Sequence, residues 1–319
     1  MSKIIAWPRV QCTDERDRSA APPHQAAERG QTLVIVAVLL VVLIGFLALV
    51  LDLGNALAQR RRMQNAADAA ALAGVRGLAL GQPSASIQSA INEYAVQRNG
   101  AQGCQAKILT STITVVVSRT FPTFFASVAG IPTFTVRAAA QAGYGFPSSW
   151  KGDLLPLCVQ KDWVTTTHDI QIWDDDKEFS DSNLGKIADG QRGWLNFNGG
   201  EVSDTELEDW VAHGYREKVN VDGWINGTPG TKTAALQVLL ETRLNTDIVI
   251  PVYDYTRSPG IMGNGSLDYH VVGFAMYHLT DVVYTGNPKF TKGRFIRYVA
   301  PQEAGGTTNT GVVVISLKQ

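Results

Sequence analysis

The chain has 319 residues, of which 18% are charged, and its formal net charge at pH 7 is −1. This length is sufficient for two modest domains beside a membrane segment. The near-neutral charge supplies no basic field for nucleic acid, so we expect no nucleic-acid partner. The 30 glycines favour a turn-rich fold with β-structure over a helical bundle.

An uninterrupted apolar run follows a polar N-terminal segment. Residues 1–29 are rich in proline, arginine and aspartate, so we expect a disordered cytoplasmic segment. The nineteen residues 33–51 carry no charge, and as a helix they measure about 28 Å, close to the ~30 Å hydrocarbon core of a bilayer. They predict one transmembrane helix over residues 30–53, with Leu33, Leu40 and Leu51 at the start, middle and end of its apolar run.

The orientation of this span is not decided by its flanking charges. Arginines lie on both sides, with Arg16, Arg18 and Arg29 before the span and residues 60–62 after it. Residues 1–29 cannot fold alone, whereas the segment after the span is long, nearly neutral and strand-rich. We therefore expect a single-pass protein with a cytoplasmic N-terminus and an extracytoplasmic C-terminal bulk.

Three processing fates stay open for the N-terminus. The span is retained uncut in the first. In the second, a pilin-type peptidase cuts between Gly30 and Gln31. In the third, signal peptidase cuts before Gln59, after the small-x-small sequence of residues 56–58, although the apolar run is longer than a typical signal sequence.

Residues 52–99 predict a helix that continues out of the membrane. Seven of the fourteen residues 66–79 are alanine, the best helix former. Small side chains recur at three- and four-residue steps, which is the spacing of one helix face and indicates a packing surface for a sheet or a partner helix. The residues of this face are Met63, Ala67, Ala70, Gly74 and Gly77. Gly81, Pro83 and Ser84 predict a break before a second helical piece at residues 87–97.

Strands are predicted after the helix. Residues 108–117 are rich in threonine, isoleucine and valine and are typical of a strand. Residues 121–130 predict a short turn, in which the helical spacing of Phe124, Phe125 and Val128 indicates core residues. Residues 133–142 alternate apolar and polar side chains, as a half-buried strand does.

The composition changes near residues 143–152, which we take as the boundary between a region of residues 54–146 and a domain of residues 147–319. Six of the seven tryptophans lie between Trp150 and Trp224. Strands are predicted over residues 154–165, 169–173, 247–255, 267–279, 293–300 and 312–317. Two short helices interrupt them, one starting at Ser203 with a capping box to Glu206 and one over residues 231–244.

The sequence contains few residues in patterns typical of a metal site, a disulfide or a catalytic site. The three cysteines contain no CxxC pair, which disfavours a zinc site, and Cys104 with Cys158 is the one candidate disulfide outside the cell. Residues 174–176 are three aspartates without EF-hand spacing, so calcium binding there stays open. No motif of a hydrolase or metalloprotease occurs in the sequence. We therefore expect no cofactor and no enzymatic activity.

Residues 29–79, RGQTLVIVAVLLVVLIGFLALVLDLGNALAQRRRMQNAADAAALAGVRGLA, resemble the TadE/TadG-like proteins of tight-adherence (Flp) pilus assembly. The matching features are Arg29-Gly30 before the span, Asp52-Leu53-Gly54 at its exit and the run of residues 64–74. The sequence of residues 121–142 is also similar to the strand region of this family. Two features depart from the family: Ile35 stands where pilin-type leaders usually have glutamate, and the Asp-x-Ser-x-Ser motif of a von Willebrand A-type domain does not occur.

The resemblance implies an α+β fold. In it, an N-terminal transmembrane helix continues into a long pilin-like helix with a few strands, and a β-rich C-terminal domain follows. It further implies a bacterial membrane protein that acts as an accessory or minor pilin-like component of a Flp/Tad pilus or secretion apparatus. The expected partners are membrane lipid, other pilus-assembly or envelope proteins and further copies of the chain.

An alternative function rests on the tryptophans. Exposed aromatic rings near Asn196, Asn198 and Asn226 would suit a membrane-tethered adhesin or carbohydrate-binding module, whereas buried rings would form the core of the C-terminal domain.

Overall fold

The computed structural model describes residues 28–164, 170–172, 193–199, 202–257, 267–286 and 289–318. By its internal contacts the chain forms two units. In the described part, unit 1 consists of residues 28–55 and 123–132, and unit 2 consists of residues 56–122 together with the described residues from 133 onward.

The described elements are four α-helices and fifteen strands. The helices are α1 (Glu28–Ala79), α2 (Ser84–Asn92), α3 (Asp204–His213) and α4 (Thr233–Arg243). A π-helical turn, Glu93–Gln97, extends α2, and a 3₁₀ turn spans Lys161–Trp163. The strands are β1 (Gly103–Ile108), β2 (Thr112–Pro122), β3 (Thr133–Pro147), β4 (Ser149–Lys151), β5 (Val159–Gln160), β6 (Ile170–Ile172), β7 (Leu195–Asn196), β8 (Lys218–Asn220), β9 (Gly223–Gly227), β10 (Asp247–Arg257), β11 (Asp268–Val283), β12 (Phe290–Ile296), β13 (Tyr298–Val299), β14 (Ala304–Gly306) and β15 (Val312–Lys318).

The first sheet of unit 2 has the strand order β1-β2-β3-β15-β13, and β14 pairs with β3. Strands β2 and β3 are antiparallel, with Pro122 opposite Thr133 and Thr112 opposite Gly143. Strand β15 lies antiparallel to β3, with Val314 opposite Gly145. The C-terminal strand is thus hydrogen-bonded into the sheet that follows the long helix.

One face of this sheet is covered by helix. Ile113, Val115 and Val117 alternate along β2 and are buried, because side chains two residues apart on a strand point to the same face. They form a cluster with the 63–75 segment of α1, with Ile87 and Ile91 one turn apart on α2, and with alanines of β3.

The second sheet of unit 2 has the order β5-β10-β11-β12-β6, with β9 pairing to β11 and β7. Helices α3 and α4 pack on it, and their buried leucines Leu207, Leu236 and Leu239 belong to one cluster with Ile250 and Tyr277. Strands β4 and β8 form a separate antiparallel pair.

The α+β class and the order of a long apolar helix followed by a strand-rich region are confirmed. The predicted start of α3 also holds, since the Ser203 hydroxyl accepts a hydrogen bond from the Glu206 N–H at 3.1 Å. The single strand predicted over residues 108–117 is wrong at its start, because Leu109 and Thr112 close a hairpin turn between β1 and β2. The domain boundary at residue 147 stays a prediction. Strand β3 lies before this boundary and β15 after it, and the two strands pair in one sheet.

Candidate functional site

The apolar half of α1 presents its side chains outward on all sides. Among the described residues, one helix is long and apolar enough to cross a membrane, and none of its most apolar window is buried in the protein. Leu33, Leu40 and Leu51 are all more than half exposed. Full exposure of such a run in water would be costly, which suggests single-pass membrane anchoring. Gly30 and Gln31 lie at the start of α1, and cleavage between them stays a prediction.

The carboxylate of Asp52 lies directly after this run and organises a loop within unit 1. Its Oδ1 accepts a hydrogen bond from the Phe124 N–H at 2.7 Å. Its Oδ2 accepts from the N–H groups of Phe125 and Ala126 at 3.0 and 2.6 Å. The Asp52 side chain is 5% exposed, so these three donors replace the water that an ionised carboxylate would otherwise require.

The three N–H groups held by Asp52 are the first of a single helical turn. The first N–H groups of a helix have no acceptor within it, and a carboxylate there is the usual solution. Aspartates that cap a helix usually precede it directly, whereas Asp52 is 72 residues from Phe124 in sequence. This long-range cap fixes the loop of residues 123–132 to the end of the apolar run.

The loop side chains correct one expectation from the sequence. Phe124, Phe125 and Val128 were expected in the core, but Phe124 is 65% and Val128 is 90% exposed, and Phe125 is also exposed. Their three- and four-residue spacing does place them on one side of a turn. Spacing alone cannot tell whether that side faces the protein or its surroundings.

The predicted packing face of α1 is buried in unit 2. All five of its residues, Met63, Ala67, Ala70, Gly74 and Gly77, are buried. A Cβ atom added to Gly74 would lie 2.8 Å from Ile91 of α2 and 3.1 Å from Ile113 of β2. The face therefore serves contacts within this chain, and the absence of a side chain at Gly74 allows that approach.

The two described cysteines lie in different clusters and are both thiols. Cys104 is half-buried on β1 beside the helices, whereas Cys158 is buried with Tyr253 and Tyr269. Burial raises the pKa of the Cys104 thiol, and it raises the pKa of Cys158 well above its usual value. The structure lends the predicted disulfide no support.

Most of the described tryptophans lie in the core or against it, and Trp163 is half-buried beside one of its clusters. Trp150, Trp194 and Trp210 are buried, and Trp173 lies outside the described residues. Trp224 is 41% exposed, but the guanidinium of Arg257 lies 4.1 Å from the centre of its ring, and the ring of His270 lies 5.1 Å from it. The Trp224 ring is therefore already in contact with two side chains of this protein, which does not favour the carbohydrate-binding alternative.

Within the described ranges, no group of three or more histidine, cysteine, aspartate or glutamate side chains is placed to hold a metal ion. His270 pairs with Asp254 and His278 with Asp247, both at 2.7 Å. The aspartates at residues 174–176, where calcium binding was left open, lie outside the described residues.

The role of Asp52 was missed in the sequence, although a signal was present. Asp52 is the single charged residue between Arg29 and Arg60, and it sits at the end of a nineteen-residue apolar run. A lone carboxylate at that position must find hydrogen-bond donors. The sequence did not indicate that the backbone of residues 124–126 supplies them.

Comparison with known protein families gives a match, and it lies in the N-terminal region. The Tad family model, described as Flp pilus-assembly TadE/G-like, matches residues 30–77. No curated protein and no solved structure matches the chain. The match covers the apolar run, Asp52 and the buried small-residue face, and it supports a role related to Flp pilus assembly. Residues 30–77 of this chain are therefore similar to the TadE/G-like family of Flp pilus assembly.

Proposed function

We propose that this protein is a membrane-anchored accessory or minor pilin-like component of a Flp/Tad-type pilus assembly or secretion apparatus, and that it acts by protein–protein contact rather than catalysis. The supporting observation is that α1 changes its surroundings partway along its length. Its side chains are exposed from Leu33 to Leu51, whereas its small-residue face is buried between Met63 and Gly77.

This division of α1 suits an anchor that holds a folded module. The first half has the length and composition of a membrane span. The second half lies in the core of unit 2, so a force on the module would be transmitted along one continuous helix to the bilayer. We propose that the bulk of the chain is extracytoplasmic, where it would contact pilus subunits, envelope proteins or further copies of itself.

The test is filament assembly in the source bacterium. Removing the protein should reduce the number of Flp-type filaments counted by electron microscopy, and the wild-type chain supplied in trans should restore them. Normal filament number without the protein would exclude a role in assembly. If filament number falls without the protein, photo-crosslinkers at exposed positions of unit 2, such as Gln105 and Gln237, would identify the partner.

A further inference from the structure

Residues 123–132, here called the apolar loop, form a turn with a group of exposed apolar side chains. Four of its side chains, Phe124, Phe125, Val128 and Ile131, are exposed, with Val128 at 90%. No charged residue occurs between Arg119 and Arg137. A contiguous, uncharged group of large apolar side chains is rarely left in water and marks an interaction surface.

The backbone of the apolar loop is largely satisfied from within. Gly130 adopts a φ of 87°, and its N–H bonds the carbonyl of Ser127 while the Ile131 N–H bonds that of Ala126. This is the Schellman pattern that closes a helical turn. The Thr123 N–H bonds the Pro132 carbonyl, and the Thr123 hydroxyl bonds the Ile131 carbonyl.

These internal hydrogen bonds decide whether the loop can enter the apolar part of a membrane. Backbone polar groups cannot be left without partners in hydrocarbon, so irregular segments are normally excluded from it. The three N–H groups at the start of the turn would be the obstacle, and the carboxylate of Asp52 accepts all three. The loop therefore presents apolar side chains outward, while the N–H groups of residues 123–126 and 128–131 are bonded within the protein.

The attachment to Asp52 also sets the depth of the loop. Asp52 directly follows Leu51, the last residue of the apolar run. If the run spans the hydrocarbon, Asp52 lies at the boundary between acyl chains and headgroups, and the turn bound to its carboxylate lies at the same level. The occupant we infer at that level is lipid, since the loop is bonded to the residue that directly follows the apolar run and its exposed side chains are apolar.

We propose that the apolar loop inserts into the headgroup–acyl boundary of the bilayer beside the span, as a second and shallow membrane contact. This inference rests on the membrane anchoring of the proposed function. Phe124, Val128 and Ile131 enter the lipid, to a depth on the order of 5–10 Å, and Asp52 holds the loop in position. A one-point anchor thereby becomes a two-point contact that restrains rotation about the helix axis.

The experiment measures probe depth in the full-length protein reconstituted in phosphatidylcholine–phosphatidylglycerol vesicles. Cys12 and Cys104 are replaced by serine, the buried Cys158 is kept, and the labelling of this background is subtracted. A nitrobenzoxadiazole probe is then attached to a single new cysteine, V128C, L40C or A234C in separate proteins. Ala234 is exposed on α4 and serves as the aqueous control.

Quenching by lipids that carry a nitroxide near the headgroup or deep in the acyl chain reports depth. The Val128 probe should be quenched about two-fold or more strongly by the shallow nitroxide than by the deep one, as expected for an interfacial residue. The Leu40 probe should show the opposite order. The Ala234 probe should be quenched by neither.

Each other result is informative. A Val128 probe that stays aqueous while the Leu40 probe is quenched would overturn loop insertion and leave the anchor intact. Aqueous probes at both positions would overturn the anchor and the loop together. A Val128 probe that is aqueous in these vesicles but shielded in native membranes would assign the loop to a protein partner and also overturn the proposal.

Discussion

Asp52 shows how one carboxylate can position ten residues that are distant in sequence. Its two oxygens accept hydrogen bonds from three backbone N–H groups, so the start of the turn supplies the donors that the buried carboxylate needs. Hydrogen bonds to an ionised group are stronger than neutral ones, so this contact should dominate the placement of the apolar loop.

Replacement of Asp52 by asparagine tests this contact. The amide keeps one acceptor oxygen but turns an NH₂ group toward the remaining N–H donors, so the turn should open more often. We expect amide hydrogen exchange at residues 124–126 to accelerate about ten-fold in nanodiscs, as measured by mass spectrometry. Asp68→Asn is the matched control, because Asp68 is bonded by Gln64 on the same helix. Equal exchange in D52N and wild type would show that the loop does not depend on this carboxylate.

The two described thiols differ in environment, which predicts their order of alkylation. Burial raises the pKa of both, so the thiolate fraction at neutral pH is small and increases as pH rises toward each pKa. Cys104 is half-buried and Cys158 fully buried. Iodoacetamide should therefore modify Cys104 first, faster at pH 9 than at pH 7, and Cys158 only after unfolding. Peptide mapping that found neither modified, with a mass two hydrogens lower, would instead establish the disulfide.

At the scale of elements, α1 combines two kinds of surface that call for different substitutions. In its buried half, Gly74 has no room for a side chain beside Ile91 and Ile113. At Gly54 an added Cβ would meet nothing within 4 Å. The same substitution at these two glycines therefore separates the effect of packing on stability from the effect of helix propensity.

Gly74→Leu should destabilise unit 2, whereas Gly54→Leu should not. Both changes favour the helix by about 1 kcal/mol, but overpacking at Gly74 should cost about 1–3 kcal/mol or more. The net result is a lower Tm for G74L in detergent-solubilised protein, measured by thermal unfolding. A Tm for G74L equal to that of G54L would mean that the face is less tightly packed than the structure has it.

The exposed half of α1 should tolerate apolar changes and reject charge. Replacing both Leu40 and Ile44 by arginine should cost about 5–7 kcal/mol of insertion free energy, enough to cancel most of the gain from nineteen apolar residues. Membrane yield after carbonate extraction should fall, while the double phenylalanine variant should extract like wild type. Unchanged yield of the arginine variant would remove the basis for the anchor.

Local patterns in the sequence predicted the elements that depend on local chemistry. The apolar run predicted a long apolar helix, the spacing of Met63 to Gly77 predicted one face of that helix, and Ser203 predicted a helix start. Contacts between distant residues carry no such pattern. Neither the carboxylate–turn contact of Asp52 nor the pairing of β15 with β3 leaves a periodic signal, and the outward direction of Phe124 depends on that first contact.

For the whole molecule, the structure favours retention of the span. Residues 56–58, the candidate signal-peptidase site, lie deep inside α1, whereas Gly30 and Gln31 lie in its first turn. Peptidases bind an extended segment, which the end of a helix supplies by fraying and its middle does not. The native protein from isolated membranes should therefore have an N-terminus before Leu33, either uncut or at Gln31, by N-terminal sequencing and intact mass. An N-terminus at Gln59 would contradict both the anchor and the loop contact.

The pairing of β15 with β3 has a consequence for biogenesis. About 170 residues separate these neighbouring strands in the chain, and such distant pairing closes slowly. Until residues 312–318 have been synthesised, the edge of β3 exposes unpaired N–H and C=O groups beside an already assembled helix. A nascent chain at this stage would be prone to aggregation. We infer that this sheet completes its pairing only after residues 312–318 have been made, and that the period before is the stage at which a chaperone would be needed.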